Sequence, residues 1–104
     1  MARMLVIYKT PQDLAAFERH YFETHIPLAK KLPGLRKYEV SRGPITTLAG
    51  PDDIHFVASL EFDDLAAIRR AFASPEGEAC AADVRSFAPD RSQLLMLLFE
   101  NREV

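Results

Sequence analysis

The apolar positions of the chain fall into segments of two different periods. Residues 4–8 are five apolar residues in a row and predict a short strand. Beyond them, Leu14, Phe17, Tyr21, His25, Leu28 and Leu32 follow at spacings of three, four, four, three and four. That is one continuous stripe of an α-helix. Thr10-Pro11 offers its start, with Thr10 as cap and Pro11 at the first helical position, where a missing N–H costs nothing. Pro27 interrupts the stripe. It cannot donate to the Glu23 carbonyl and it pushes Ile26 away from helical geometry. A kink or break is therefore predicted near residues 24–26, with a second short segment running from Pro27 to Pro33-Gly34.

Residues 35–42 read as a second strand, with Tyr38 and Val40 on one face and Lys37, Glu39 and Ser41 on the other. Residues 54–62 read as a third, with Phe56, Ala58, Leu60 and Phe62 opposite His55, Val57, Ser59 and Glu61. The loop between them, residues 43–53, is longer than a tight hairpin, and loops of that length often carry function. Asp63 is placed to cap a helix buried through Leu65, Ile68 and Phe72. Ser74-Pro75 restarts a helix whose apolar side carries Cys80, Val84 and Phe87, with Glu76 and Glu78 in its first turn. Ala88-Pro89-Asp90 turns the chain into a last strand over residues 93–100. The order strand, helix, strand, strand, helix, strand predicts a single α+β domain over residues 1–104. Its fold class is ferredoxin-like βαββαβ, with one four-stranded antiparallel sheet.

In a lone domain of that kind, helices cover one sheet face and water wets the other, so strands should alternate apolar and polar. The first and last strands do not: residues 4–8 and 94–99 are apolar on both faces. Each wet aliphatic side chain forgoes about 1.5–3 kcal/mol, so the pattern predicts a cover for the second face. A second copy of the same sheet, in a homodimer, is the simplest one.

Composition narrows the classes further. The formal net charge of −2 and the scattered basic residues, with no basic stripe among aromatics, argue against nucleic-acid binding. The longest apolar run, residues 94–99, is far below the roughly 20 residues of a membrane span, so no membrane partner is expected. Cys80 is the only cysteine, which excludes an internal disulfide and fits a reducing cytoplasm. The first residues lead directly into a strand without a signal-peptide core, so the expected location is cytoplasmic.

Candidate chemistry concentrates at residues 21–34. His25 lies on the apolar stripe, facing the sheet, and Tyr21 is one turn earlier on the same face. An imidazole in an apolar pocket is disfavoured in its charged form, so it is neutral and able to accept a proton from an acidic ligand group. Backbone carbonyls freed by the proline break are candidates to hold its N–H and fix the tautomer. A core histidine satisfied by such a carbonyl, without chemistry, is the alternative. His20 and His25 are five residues apart, which puts them on different faces of an α-helix and makes a metal pair unexpected. Cys80 reads as packing rather than a nucleophile, and Glu18 and Glu23 as surface charges. No Gly-rich phosphate loop occurs.

The string Tyr21-Phe22-x-x-His25-x-Pro27-Leu28, followed by Pro33-Gly34 and Tyr38, resembles the EthD family. The opening residues 5–9 and the closing apolar strand share that pattern, so the resemblance covers essentially the whole chain. It implies a dimeric α/β barrel. The family takes its name from a protein associated with breakdown of ethyl tert-butyl ether. Some relatives are decarboxylases or dehydratases of aromatic polyketides, and more distant barrels include olivetolic acid cyclase, muconolactone isomerase and cofactor-free quinone-forming monooxygenases. Haem-binding relatives exist, but nothing beyond His25 marks an axial ligand here. The family histidine falls on His25 and its first aromatic on Tyr21; its second aromatic is often tryptophan, and Phe22 lacks that indole N–H.

The expectation is a small enzyme needing no cofactor and no metal, of lyase, cyclase or isomerase type, acting on a small apolar or aromatic ligand. His25 is the expected general acid or base and Tyr21 its assistant. Phe17, Phe22, Tyr38, Phe56 and Leu60 are the expected substrate-binding wall. The alternatives are a non-catalytic ligand-binding barrel and an accessory protein of an oxygenase system.

Overall fold

The computed structural model describes all 104 residues. Its elements are β1 (Ala2–Lys9), α1 (Leu14–His20), a π-helical turn (Tyr21–His25), α2 (Ile26–Ala29), β2 (Lys37–Val40), β3 (Ile54–Phe62), α3 (Leu65–Ala73), α4 (Pro75–Phe87), a 3₁₀ turn (Arg91–Gln93) and β4 (Leu94–Glu100). The strands form one antiparallel sheet in the order β2-β3-β1-β4, the ferredoxin-like arrangement expected from the pattern.

Alternation in the two central strands separates the faces. Ala2, Met4, Val6 and Tyr8 of β1 and Phe56, Ala58, Leu60 and Phe62 of β3 are buried beneath the helices. Phe17, Tyr21, Ala29 and Leu32 press onto them from the first helical segment, and Ala67, Ile68, Ala71 and Cys80 from α3 and α4. The second strand is shorter than its apolar pattern. Even so, Arg36 N–H donates to the Glu61 carbonyl (2.8 Å) and Ser41 N–H to the Val57 carbonyl (2.7 Å), carrying the pairing one residue past each end.

Two expected helix caps are corrected by competition for partners. Asp13, not Thr10, caps α1, its carboxylate accepting from Ala16 N–H (3.0 Å). Thr10 is already engaged, its N–H and hydroxyl both donating to the Asp53 carbonyl at 2.8 and 3.2 Å. Leu14 consequently stands at the very start of α1 and is exposed. Likewise Asp64 caps α3, accepting from Ala67 N–H (2.7 Å), while Asp63 is gripped by the Arg36 guanidinium at 2.9 and 3.0 Å. Ser74 both ends α3 and caps α4, accepting from Gly77 N–H (3.1 Å). Gly77 is required there: a Cβ would stand 2.2 Å from the Ala71 carbonyl oxygen, so only glycine permits so abrupt a join.

The break at Pro27 takes the form of a widened turn. Ile26 N–H donates to the Tyr21 carbonyl, five residues back, and α2 continues in the same direction. One extra residue in the turn accommodates the proline without ending the helix.

The other sheet face carries no layer. Leu5, Ile7 and Val57 are half-buried on it, and Leu95, Leu97 and Phe99 of the edge strand β4 face the same way. Residues Leu95 to Phe99 retain 38–53% of their surface exposed, an unusual state for five consecutive apolar side chains. No helix is long and apolar enough to cross a membrane.

Candidate acid–base site

The widened turn decides the site. In an α-helix, positions 20 and 25 diverge by five residues' rotation; here both imidazoles reach one carboxylate on α4. His25 Nδ1 is 2.9 Å from Asp83 Oδ2, and His20 Nε2 is 2.8 Å from Asp83 Oδ1. The expectation that His20 and His25 face apart is thus corrected, because a π-helical turn brings residues five apart onto one side. The expected carbonyl partner of His25 is corrected too: a carboxylate holds the ring.

That partner fixes the tautomer. A carboxylate only accepts, so His25 Nδ1 carries the proton and donates it, which leaves the Nε2 lone pair free in the neutral ring. The His25 ring is almost wholly buried, with its side chain 6% exposed beside an Asp83 side chain at 12%. Burial holds the His25 pKa below its ordinary value, and the Asp83 hydrogen bond and charge oppose that shift without cancelling it. The ring is therefore neutral at physiological pH.

Nε2 faces Cys80 Sγ at 3.9 Å. Burial, then the nearby Asp83 charge, pushes the Cys80 thiol up to about 11, so it remains S–H and is a weak donor to Nε2 rather than a nucleophile. On the sheet side, Tyr21 and Tyr38 share a hydroxyl–hydroxyl bond of 2.6 Å. Burial raises all three phenols nearby, Tyr8, Tyr21 and Tyr38, with Tyr38 reaching about 12. They act as proton donors, never as phenolates, near neutral pH.

The predicted wall is brought together only in part. Tyr38 and Leu60 border a cavity of about 20 Å³ beside His25, together with Tyr8, Tyr21 and Cys80. That is room for about one water molecule. Phe17 and Phe56 stack behind Tyr21, at ring separations of 5.8 and 4.6 Å, and do not border the cavity. Phe22 points away: its ring is 47% exposed and borders an outer groove with Val40, Ile45 and Ile54, so its place in the inner wall is corrected. It follows Tyr21 by one position, which on a helix means a different face.

Three residues escaped the sequence reading. Asp83 lies eight residues beyond Pro75, within α4, with no local mark of its role. Phe87, at the end of α4, places its ring 5.1 Å from His25 and 5.2 Å from His20. Glu18 accepts from His55 Nε2 at 2.8 Å instead of lying free on the surface. His55 itself is corrected in direction. The β1–β3 register slips between Tyr8 and Lys9, and this bulge turns His55 to the helix side, where its ring meets Phe17 at 5.6 Å. Val57, Ser59 and Glu61 keep the open face expected of them.

An outer cavity of about 670 Å³ opens at the end of the molecule where α1 begins and α4 ends. Tyr8 borders both it and the inner space, while His20 and Phe87 form its inner wall. Phe87 is thus the partition between a chamber of ligand size and the imidazole of His25.

An imidazole held by a carboxylate on the neighbouring helix, among aromatic rings over a ferredoxin-like sheet, is the candidate site of this small α+β protein. The EthD domain matches residues 9–91, and the chain belongs to the EthD family. It is 38% identical over 104 residues to an uncharacterised 11.0 kDa protein from the thcB-thcC intergenic region of Rhodococcus erythropolis, covering 99% of this chain and 96% of that one. It is also similar to the crystal structure of an EthD family protein from Bacillus halodurans, at 31% identity and a TM-score of 0.87, covering 98% and 99% of the two chains. The fold alone is shared with SnoaB, a cofactor-independent oxygenase of Streptomyces nogalater (22% identity, TM-score 0.66, 99% and 94% covered). It is shared equally with a dimeric ferredoxin-like protein of unknown function from Jannaschia (21% identity, TM-score 0.65, 97% and 100% covered).

Proposed function

We propose that this EthD family member binds a small, largely apolar, aromatic molecule and moves a proton on it without a cofactor, with His25 as general acid or base and Tyr21 assisting. The observation that carries the reading is the fixed tautomer: Asp83 engages Nδ1 and leaves a desolvated Nε2 with only the weak Cys80 thiol, at 3.9 Å, against it. A neutral imidazole whose charged form is stabilised by a carboxylate as it develops is suited to general base catalysis. In the Tyr21–Tyr38 pair one hydroxyl donates to the other, which leaves one O–H to donate to a ligand oxygen. The reaction class is lyase, cyclase or isomerase chemistry, in which a proton leaves one atom and returns to another with no net redox change. The ligand enters from the outer cavity and displaces the Phe87 ring to reach Nε2.

The protein works as a homodimer in which the two open sheet faces cover each other. Support comes from the exposed side chains of β4 and from a protein of the same fold described as dimeric. Sheet-to-sheet pairing also buries Leu5, Ile7 and Val57.

A second reading has its own observation. The cavity beside His25 is only about 20 Å³, so the His25–Asp83 pair also suits a clip that ties the first helical segment to α4 in a non-catalytic ligand-binding or accessory protein. A panel of substituted phenols and aromatic carboxylic acids, followed by NMR at the His25 Cε1–H and the Tyr21 and Tyr38 rings, separates the two. The acid–base reading expects compounds that shift these signals together, and His25→Gln abolishes conversion of any compound turned over. Compounds that bind only at the surface, or conversion that persists in His25→Gln, overturn it.

A further inference from the structure

His25 is not the only imidazole on Asp83. The carboxylate is divided between two rings in different surroundings: His25, walled in by Tyr8, Tyr21, Tyr38, Cys80 and Phe87, and His20, whose side chain is 33% exposed on the wall of the outer cavity. We propose that His20 is a positioning residue that sets the basicity of His25 through the carboxylate they share, so that the protonation state of the cavity wall controls the buried base.

The argument is one of charge count. Asp83 brings one negative charge and each ring is able to bring one positive charge. When His20 gains a proton, its pair with Oδ1 neutralises the carboxylate, and His25 keeps a hydrogen-bond acceptor on Oδ2 but loses most of the field that favours its own charged form. When His20 is neutral, the full charge of Asp83 acts on His25. The direction of the His25 perturbation agrees: His20 is among the groups that lower its pKa, opposing Asp83. Two rings on one carboxylate titrate as a coupled unit, not as independent groups.

The surroundings restrict what else acts on the pair. Facing His25 are Asp83 and Cys80 from α4, Tyr8 from β1, Tyr38 from β2 and Tyr21 from its own segment; Asp83 is the only one of these charged near neutral pH. Facing His20 are Asp83 and Phe87 from α4. Across the cavity it borders stand Lys9 of β1, Asp13 at the start of α1 and Asp90 after α4. The widened turn is what makes the arrangement possible, since a regular α-helix would carry one of the two rings away from Asp83. The reading deepens the proposed acid–base role of His25 and rests on the same site, but its test needs no substrate.

The experiment is an NMR titration of the histidine Cε1–H signals in the wild-type protein, in His20→Gln and in His25→Gln. A glutamine at position 20 keeps an N–H donor for Oδ1 and removes the titrating charge. The proposal expects the His25 midpoint to rise in His20→Gln by about half a pH unit or more, roughly a threefold gain in proton affinity. The His25→Gln variant assigns the remaining histidine signals, so that the midpoint followed is that of His25. A His25 midpoint that stays within about 0.1 unit of wild type in folded His20→Gln overturns the proposal, and so does a fall. A purely structural role for His20 changes thermal stability and leaves the midpoint in place. Failure of the catalytic reading leaves this coupling intact, whereas loss of the coupling leaves the phenol-binding result intact, so the two fail separately.

Discussion

The two faces of the sheet are built from the same kinds of residue and end in opposite states. Beneath the helices, Phe62, Ile68 and Tyr21 are fully enclosed, and the one polar residue buried there, His25, has a carboxylate partner. On the other side, Leu95, Leu97 and Phe99 project from β4 with nothing over them, beside the half-buried Leu5, Ile7 and Val57. The first face is covered by helices of the same chain, apart from Met96 and Leu98 on the edge strand. The second has no cover within the chain; the dimer proposed above would supply one, and the apolar pattern would then record burial in the assembly rather than in the monomer.

Substitutions on the two faces should therefore fail in different ways. The largest effect is expected for Leu97→Glu, which places a charge in the centre of the open face. Sedimentation velocity at micromolar concentration should show a folded monomer, with the circular dichroism of the wild type; an unchanged dimer would contradict the covering proposed for this face, and a wild-type monomer would contradict it outright. Phe62→Ala, on the enclosed face, should lower unfolding free energy by about 3–5 kcal/mol. That loss should appear equally at low and high protein concentration, because it empties a cavity within one chain. Asp83→Asn comes next. It removes the charge between the imidazoles and should cost about 1.5–3 kcal/mol, the worth of hydrogen bonds to a charged group. It should also move the His25 midpoint further down, read by the same histidine titration; an upward move would show that Asp83 is not the group opposing burial.

The smallest effect is a pH slope. The folded His25 pKa lies below the ordinary imidazole value of about 6.5. The unfolded chain therefore takes up this proton first as the pH falls. The His25 contribution to stability is complete above about 6.5 and is lost as the pH drops from there toward the folded value, with a slope of at most about 1.4 kcal/mol per pH unit. Urea midpoints from pH 7.5 to 5 should fall less steeply in His25→Gln than in wild type. Parallel curves would place the acid sensitivity elsewhere.

Comparison of pattern with structure separates what is local from what is not. The strand over residues 54–62 and the helix restart at Ser74-Pro75 were legible because period-two alternation and a cap-proline pair act within a few residues. The caps at Asp13 and Asp64 were misplaced by one to three residues, because adjacent side chains compete and the loser is decided by a distant partner: Asp53 for Thr10, Arg36 for Asp63. Within the site, His25 and Tyr21 were marked by the stripe and by the family string. The aromatic wall was legible only as composition. Phe22 reads as inward although the turn aims it out, and Phe87 reads as packing although its ring lines the outer cavity and lies 5.1 Å from His25.

Taken by itself, the chain's order of residues determined the class of fold, the buried histidine and the surplus of apolar surface on the outer strands. Each follows from periodicity, and periodicity is a property of neighbours along the chain. Tertiary structure alone decided that Asp83 meets two histidines, that Cys80 lies against Nε2, and that a register slip at Tyr8 and Lys9 turns His55 toward Glu18. Those contacts join residues 55–63 or 37 positions apart, and the first of them also needs the widened turn over Tyr21–His25. Distance along the chain carries no information about such meetings; packing creates them.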